Sequence, residues 1–415
     1  MGGGGNLVKT AAAKSALFAL YLTLLLSSPA TAHASPFGTC NPCDALDTCT
    51  SRAGQWFLNG HIEAGFFANA HGQKSTYEQI GRGADLFSGN TDLLENTRLT
   101  GAQVNQVYLS MGKSVDGRRG LDIGGTIDFT WGSDAEMVQA IGMENLTGSS
   151  GDGWGTGDYY AAFAQAYAEI AYGRLNVKAG KFYAPFGIDS YKSTENFFYS
   201  WSPTMRIAPT VAGGAYATYK LNDRLSLLGG WIMPGEIGQS SKNNALLGGF
   251  IWTPGKRWNV RYTFTTGKNT SDGNDIDYFC HSLTATTQIN KRLKYVFDWT
   301  LVNSNDSDPL LLPAAVAEYT LMNEVIYQHN AKWALGTRFG MLNDNWFFDG
   351  DWYTVSLGAN WTPNKWLTVK PEVRYDWIDA DGFLGGLLPI PTDSPFNTGT
   401  KSHQFSGGLS AVVKF

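Results

Sequence analysis

The segment Trp366-Leu-Thr-Val-Lys-Pro-Glu-Val-Arg-Tyr-Asp-Trp377 decides the fold class, because apolar and polar residues alternate along it. One set consists of Leu367, Val369, Val373, Tyr375 and Trp377, and the other of Thr368, Lys370, Glu372, Arg374 and Asp376. Successive side chains of a strand point to opposite faces, so the alternation predicts a β-strand with one apolar and one polar face. Taken alone, this strand fits a membrane barrel or a soluble β-sandwich.

Similar segments follow one another from Trp56 to Phe415, and we count about sixteen, each about ten residues long, as tilted membrane strands require. They begin near Trp56, Gln103, Gly120, Tyr160, Arg174, Val211, Arg224, Asn244, Lys256, Tyr278, Arg292, Tyr319, Lys332, Tyr353, Lys365 and Ser402.

The connections between these segments alternate between short and long. Short turns include 172–174, 221–223, 253–255, 289–291 and 362–364, whereas long connections cover 68–102, 131–159, 182–210, 268–277, 303–318 and 377–401. Outer-membrane barrels have short periplasmic turns and long extracellular loops, and soluble sandwiches have no reason to sort loops in this way. The alternation predicts an all-β protein, a transmembrane antiparallel β-barrel over residues 56–415.

The composition supports a barrel over other classes. The 415 residues include 49 Gly and 13% aromatic residues. Charged residues make up only 16% of the chain, against about 25% in an ordinary soluble domain. Beyond the N-terminal region, no apolar run has the length of a membrane helix. A secreted soluble sandwich remains an alternative, which recovery from detergent-extracted envelopes would exclude.

The first 55 residues indicate export. Lys9 and Lys14 precede an apolar run, and small residues up to Ala34 fit a cleavage site, so residues 1–34 are predicted to be a signal peptide.

Residues 35–55 are predicted to form a periplasmic segment with three cysteines. Disulfide bonds among Cys40, Cys43 and Cys49 are favoured there, with metal binding or redox chemistry as alternatives. The predicted location is the bacterial outer membrane.

Charge is sorted between the two kinds of connection. The loops 131–159, 303–318, 343–352 and 377–400 hold fourteen Asp and Glu residues and no Lys or Arg, whereas the short turns are rich in Lys and Arg. Acidic extracellular loops could bind divalent cations that bridge them to lipopolysaccharide. We expect no other cofactor and no nucleic-acid partner.

The segment 182–210 is the candidate functional element, because it combines eight aromatic residues with three prolines and few charges. Such a stiff, apolar loop would be poorly soluble if it extended into water, so we expect it to fold into the barrel. An external lid or a contact between subunits is the alternative. Lys192 and Arg206 are the candidates for solute contact within it.

Charged residues on the polar faces of strands are candidates for the pore lining. The principal ones are Glu169, Lys178, Arg261, Arg338, Lys370, Glu372 and Arg374, and others are Glu63, Asp122, Asp128, Lys294, Asp298 and Glu324. Sixteen strands enclose an aqueous channel, and charges on its wall set its electric field.

Several stretches resemble a known family. Gly180-Lys-Phe-Tyr-Ala-Pro-Phe-Gly187, Asn196-Phe-Phe-Tyr-Ser200, Ala208-Pro209 with Gly213, and Leu58-Asn-Gly-His-Ile-Glu-Ala-Gly-Phe-Phe-Ala-Asn69 are similar to the putative β-barrel porin-2 (OmpL-like) family. Members often carry an acidic residue directly after Pro-Phe-Gly, and here Asp189 stands one position later. The resemblance implies a porin, in which the loop after the fifth strand commonly folds inward as a constriction and three barrels can associate. The final Phe415 resembles the signal read by the barrel-insertion machinery.

The predicted function is therefore a porin for passive diffusion of small hydrophilic solutes or ions, with no enzymatic activity, because no catalytic motif is present. A structural or adhesion barrel without conductance is the alternative that the sequence leaves open.

Overall fold

The computed structural model describes residues 54–71, 100–145, 153–237, 243–271, 274–305, 316–344, 350–380, 396 and 400–415. The first strands are β1 Trp56–Asn69, β2 Gly101–Lys113, β3 Asp122–Gly132, β4 Gly155–Thr156, β5 Tyr159–Tyr172, β6 Leu175–Tyr183, β7 Val211–Asn222, β8 Leu225–Pro234 and β9 Asn244–Gly255. The others are β10 Trp258–Ser271, β11 Asn274–Gln288, β12 Leu293–Asn305, β13 Val316–Gln328, β14 Trp333–Asp344, β15 Gly350–Trp361, β16 Leu367–Ala380 and β17 His403–Lys414.

All neighbouring strands pair antiparallel, and the sheet closes on itself. The two-residue strand β4 pairs only with β5, in the loop that follows β3, while the other sixteen strands follow one another around the barrel. Closure occurs where Ile62 of β1 pairs with Val107 of β2 on one side and with Val413 of β17 on the other. A closed sheet satisfies every ladder hydrogen bond without a free edge, which is what a strand-built membrane protein needs.

The apolar face of β16 points outward, as the lipid-facing interpretation requires. Val373 and Tyr375 are 43% and 40% exposed, whereas Arg374 between them is 0% exposed. Large exposed apolar side chains occur on the same outward face of many other strands, and Trp56, Trp252, Trp333 and Trp361 lie near the short turns. An apolar outer surface flanked by aromatic residues is typical of membrane barrels, so the soluble sandwich is excluded.

The connections sort as predicted, with one exception. Short turns, such as 173–174, 223–224 and 256–257, lie at one end of the barrel (the turn end), and the strand ends that flank the long connections lie at the other (the loop end). The predicted long loop 268–277 is wrong, because β10 runs to Ser271 and β11 starts at Asn274, with Lys268 paired with Asp277. Strands that continue past the apolar band are polar on both faces, so alternation disappears while backbone pairing persists.

Short helices complete the described part. Two 3₁₀ helices cover Gly117–Arg119 and Ala135–Val138, and α1 covers Thr204–Ile207. No helix among the described residues is long and apolar enough to cross a membrane. The predicted signal peptide and the three cysteines at 40, 43 and 49 lie outside the described residues.

Candidate functional site

The connection between β6 and β7, residues 184–210, lies across the interior of the barrel and is called the lumen loop below. The Thr204 and Thr320 Oγ1 atoms are 3.0 Å apart, which places the loop against β13. The Ile188 amide donates to Asp298 Oδ2 on β12 at 2.7 Å. At least four strands separate β7 from these partners in the barrel order, so only a path through the lumen reaches them.

Ser200 is the centre of a charged cluster on the far wall. Its amide and hydroxyl donate to the Glu372 carboxylate at 2.8 and 2.7 Å. Arg338 donates to the Ser200 carbonyl and hydroxyl oxygens at 2.9 and 2.7 Å. Arg374 donates to Ser200 Oγ and to the Trp201 carbonyl at 3.1 and 3.0 Å. These buried groups therefore anchor the lumen loop to β14 and β16.

Two further cations of the wall bind backbone carbonyls of the lumen loop. Lys370 Nζ donates to the carbonyls of Ser193 and Asn196 at 2.5 and 2.8 Å. Arg261 donates to the carbonyl of Gly187. A loop without regular strand pairing leaves many backbone carbonyls without a backbone partner, and here these side chains supply hydrogen bonds to three of them.

On the near wall the loop contacts β2 and β3. Gln106 Nε2 donates to the Tyr191 carbonyl at 2.7 Å, and Tyr191 Oη lies 3.0 Å from Thr130 Oγ1. Lys192 Nζ is 3.5 Å from Asp128 Oδ2 and stands 5.4 Å from the centre of the Tyr108 ring. The positive charge of Lys192 is thus balanced by a wall carboxylate and an aromatic face.

Glycines on the inward faces of the far wall provide room for the loop. A Cβ added at Gly336 would overlap the Phe197 ring, and one at Gly358 would lie 3.1 Å from Phe198. A Cβ at Gly340 would lie 2.9 Å from Pro203 Cδ. A glycine in a strand often marks a close approach of other groups, and here three of them accept side chains of the lumen loop.

The predicted pore-lining residues fall into two groups. Arg261, Arg338, Lys370, Glu372 and Arg374 face the lumen, and each binds the loop directly. Lys178 and Glu169 instead face each other across β5 and β6, with Nζ and Oε1 3.8 Å apart, and Lys178 stands over Tyr167. Their part in solute passage remains a prediction.

The remaining predicted residues occupy varied places. Arg206 lies half-buried on α1. Glu63 accepts a hydrogen bond from Ser410 at 2.9 Å. Asp122 lies at the turn end, where Lys113 and the Asp116 amide bind its carboxylate, so it is part of a turn rather than of the lumen cluster. The physical reason is that β3 begins only at Asp122, two residues later than predicted.

The sequence interpretation missed a buried ion pair at the loop end. Lys181 Nζ lies 2.8 Å from both carboxylate oxygens of Glu144 and donates to the Val138 carbonyl at 2.7 Å. Lys181 is two residues beyond Ala179, which faces outward, so a cation stands where an apolar residue is expected. A charged residue at a lipid-facing position indicates a partner, and this signal could have revealed the pair.

Within the ranges that the structure describes, no three His, Cys, Asp or Glu side chains are placed to hold a metal ion. The charged groups of the described interior bind the loop backbone or one another, so they hold the lumen loop in position inside the barrel.

Comparisons with known proteins agree with this architecture. An anion-selective porin from Comamonas acidovorans superposes with a TM-score of 0.57 at 10% identity, covering 87% of this chain and 99% of the porin. The outer membrane channel DcaP of Acinetobacter baumannii gives 0.57 at 12% identity, covering 88% and 98%. The trimer form of OmpT from Vibrio cholerae gives 0.53 at 14% identity, covering 88% and 100%. No curated protein sequence matches the chain.

A closed barrel of sixteen long strands with an apolar exterior and a loop across its lumen defines a porin-type outer-membrane protein. The sequence comparison identifies the group within that class: residues 57–415 match the family described as putative beta-barrel porin-2, OmpL-like. The chain belongs to this family. Porins are outer-membrane channels for passive diffusion, so membership assigns the chain to channels rather than to enzymes.

Proposed function

We propose that the lumen loop forms the narrowest section of this passive channel and determines which small hydrophilic solutes or ions pass. The observation that carries the proposal is the Ser200 cluster, in which wall side chains of both signs hold the loop across the interior. A loop held by several buried, charge-assisted hydrogen bonds keeps one position, as a size filter requires.

The experiment is a planar-bilayer recording of the purified full-length protein in KCl. We expect discrete conductance steps that are small for a barrel of sixteen strands, because the lumen loop occupies part of the cross-section. Absence of steps in correctly folded protein would overturn the proposal.

A second candidate is a structural or adhesion barrel that conducts little. It is favoured by the near-complete burial of Arg338, Arg374 and Glu372, which shows how densely the loop and the far wall pack at that place. The same recording separates the two candidates. Heat-stable, correctly folded protein without conductance would support the structural role.

We also propose a homotrimer, supported by the trimeric form of the similar OmpT structure. Mass photometry of the detergent-extracted protein tests this, and a monomeric mass would contradict it.

Recognition by the insertion machinery is proposed for Phe415, whose backbone pairs with Gly60 at the seam between β1 and β17. Replacement of Phe415 by Ala should then slow assembly in the outer membrane.

Divalent cations at the acidic loop end are a further proposal. Asp351 and Asp379 lie directly opposite each other on β15 and β16. Like charges in this position repel unless a cation lies between them or the site is well solvated. Chelation should lower the heat stability of the barrel in lipopolysaccharide, and indifference to chelators would count against the proposal.

The signal peptide 1–34 and the disulfide bonds among the N-terminal cysteines stay predictions. Mass spectrometry of the mature protein from outer membranes tests both at once, through the N-terminal residue and through the cysteine pairs.

A further inference from the structure

Positive charge is concentrated at the turn end of the barrel, and the lumen loop does not account for it. Seven short connections lie at this end, and each contains at least one Lys or Arg. Together they hold ten such residues but only two acidic ones, Asp116 and Asp223, the latter on the exposed turn between β7 and β8. Asp116 is bound by Arg118 at 2.8 Å. The other five connections contain no acidic residue.

Four of these five follow one another around the barrel and are called the cationic arc below. They are residues 256–257, 289–292, 329–332 and 362–366, each of which joins two neighbouring strands between β9 and β16. The cations of the arc are Lys256, Arg257, Lys291, Arg292, Lys332 and Lys365. Because neighbouring strands lie about 4.8 Å apart, successive turns follow one another at about 10 Å. The arc therefore presents a row of positive charges along the barrel edge.

Local hydrogen bonds fix the backbone that carries these cations. Asn290 Oδ1 accepts the amide of Arg292 at 2.9 Å, and Asn330 Oδ1 accepts the amide of Lys332 at 2.9 Å. In both turns the same oxygen also accepts the amide of the following residue at 3.1 Å, and that residue begins the next strand. An Asn side chain that binds its own backbone in this way stabilises a tight turn. The cation therefore stands directly before the first residue of the strand.

The cations of the arc adjoin the lipid-facing surface. Lys332 is followed by Trp333, whose exposed ring stacks on Trp361 with the ring centres 6.0 Å apart. The guanidinium of Arg292 lies 3.5 Å from the hydroxyl of Tyr327, which is exposed on the same outer surface. Trp and Tyr are enriched where the hydrocarbon of a membrane meets the head groups. These cations therefore lie at the level of the head groups.

We propose that the cationic arc binds the head groups of anionic phospholipids in the leaflet that surrounds the turn end. The short turns of outer-membrane barrels are periplasmic, so this is the periplasmic leaflet. Phosphate accepts charge-assisted hydrogen bonds from guanidinium and ammonium groups, and Lys and Arg at a membrane surface attract anionic lipids. The acyl chains of such a lipid cover the exposed Trp rings while its phosphate meets the cations. The inference does not depend on what the channel conducts.

Lipid competition measured by tryptophan quenching tests the arc. The full-length protein is placed in vesicles of phosphatidylcholine and phosphatidylglycerol in equal parts, with bromine on the acyl chains of one lipid to quench nearby Trp residues. At low salt we expect phosphatidylglycerol to be enriched around the barrel about two- to five-fold, since a single Lys or Arg near the surface contributes about five-fold. The enrichment should disappear in about 1 M NaCl, where the Debye length is about 3 Å. Equal quenching by the two lipids at low salt would overturn the proposal.

A matched pair of variants locates the lipid. Arg292→Gln with Lys332→Gln removes two exposed cations of the arc and should reduce the enrichment to about half or less. Lys220→Gln with Lys414→Gln removes two exposed cations at the same end of the barrel. Their side chains face the lumen, because the residues that precede them are exposed on the outer surface. This control should therefore keep the enrichment of the parent protein. An equal decrease in both variants, or no decrease in the arc variant, would overturn the proposal.

A second measurement distinguishes a lipid from a soluble polyanion. Purified peptidoglycan, whose peptides carry carboxylates, is sedimented with the detergent-solubilised protein. We expect the parent protein and the arc variant to co-sediment to the same extent. Co-sedimentation that is lost in the arc variant while its lipid quenching is unchanged would overturn the proposal in favour of a cell-wall contact. Heat-dependent gel mobility monitors the fold of each variant, and we expect no change because all four replaced side chains are exposed.

Discussion

Two long connections of this barrel lie in different places, although they are close to each other in the sequence. The described parts of the connection 133–158, called the rim loop here, are residues 133–145 and 153–158, and they lie at the loop end, where Lys181 pairs with Glu144 and the Phe163 amide donates to the same carboxylate at 2.9 Å. The lumen loop crosses the interior to β12, β13, β14 and β16. Each loop contacts a buried lysine of the barrel wall: Lys181 contacts the rim loop and Lys370 contacts the lumen loop.

The two loops contact different surfaces of the barrel. The ladder between β5 and β6 ends at Ala166 and Lys181, and the rim loop bonds to the exposed edge of β5 beyond that point, for example through Gln139 to the Ala161 carbonyl at 2.9 Å. The lumen loop instead meets inward-facing charges and glycines of the opposite wall. Loop length therefore says little about a loop's position, whereas the residues of the receiving strands determine it.

Shortening the lumen loop should have the largest effect. Replacement of residues 185–209 by four glycines is compatible with the barrel, because the Ala184 amide already bonds to the Thr210 carbonyl at 3.0 Å. We expect a several-fold rise in single-channel conductance. The control is replacement of residues 146–152 in the rim loop by two glycines, which should leave conductance unchanged. Equal conductance in both variants would remove the distinction between the loops.

Loss of the far-wall anchors should have the next largest effect. In the double variant Arg338→Met and Arg374→Met, Glu372 and Asp376 lose their cations, and an uncompensated buried charge costs about 3 kcal/mol. We expect noisy currents with transient larger openings and a lower urea midpoint for unfolding, followed by tryptophan fluorescence. Arg224→Met on the exposed turn is the control, and quiet channels of unchanged conductance would argue against anchoring.

Filling one glycine site should have a smaller effect. In Gly336→Val the new side chain competes with Phe197, so the loop shifts while its charged anchors remain. We expect a modest rise in conductance and little loss of barrel stability. Gly229→Val is the matched control, since a Cβ there meets nothing within 4 Å. A rise in both variants would point to a change in the barrel itself.

Removal of Lys181, the β6 cation that pairs with Glu144 of the rim loop, should leave conductance unchanged. Lys181→Met leaves Glu144 buried without its cation, and an uncompensated buried charge destabilises the rim loop by about 3 kcal/mol. We expect faster proteolysis within 133–158 and the conductance of the parent protein. Adding Glu144→Gln should restore part of the protection, because the unpaired charge is then gone. A changed conductance would show that the rim loop also shapes the pore.

Much of this fold follows from the sequence, because alternation of the kind seen around Val373 and Arg374 fixes which side chains face lipid. The strand starts agree with the structure to within four residues, although the hairpin around Lys268 and Asp277 was missed where both faces become polar. The inward position of the lumen loop was expected from its aromatic residues and prolines.

The partners of the lumen loop could not be derived. Pairing Ser200 with Glu372, or Phe197 with Gly336, requires the register of strands more than a hundred residues apart, and alternation contains no information about register. The glycines on the polar faces of β14 and β15 were a usable signal, since such positions in a wide barrel have no reason to lack a side chain unless another group occupies the space.

A cross-link between the lumen loop and the far wall tests the account most directly. In a background with the four native cysteines replaced by serine, Thr204→Cys and Thr320→Cys place two sulfur atoms where hydroxyl oxygens lie 3.0 Å apart. Mass spectrometry of oxidised outer membranes should find the peptides of residues 204 and 320 joined in most molecules. Thr204→Cys with Thr337→Cys, an outward-facing position on β14, should not join. Two free, rapidly alkylated thiols at 204 and 320 would contradict a loop that lies across the lumen.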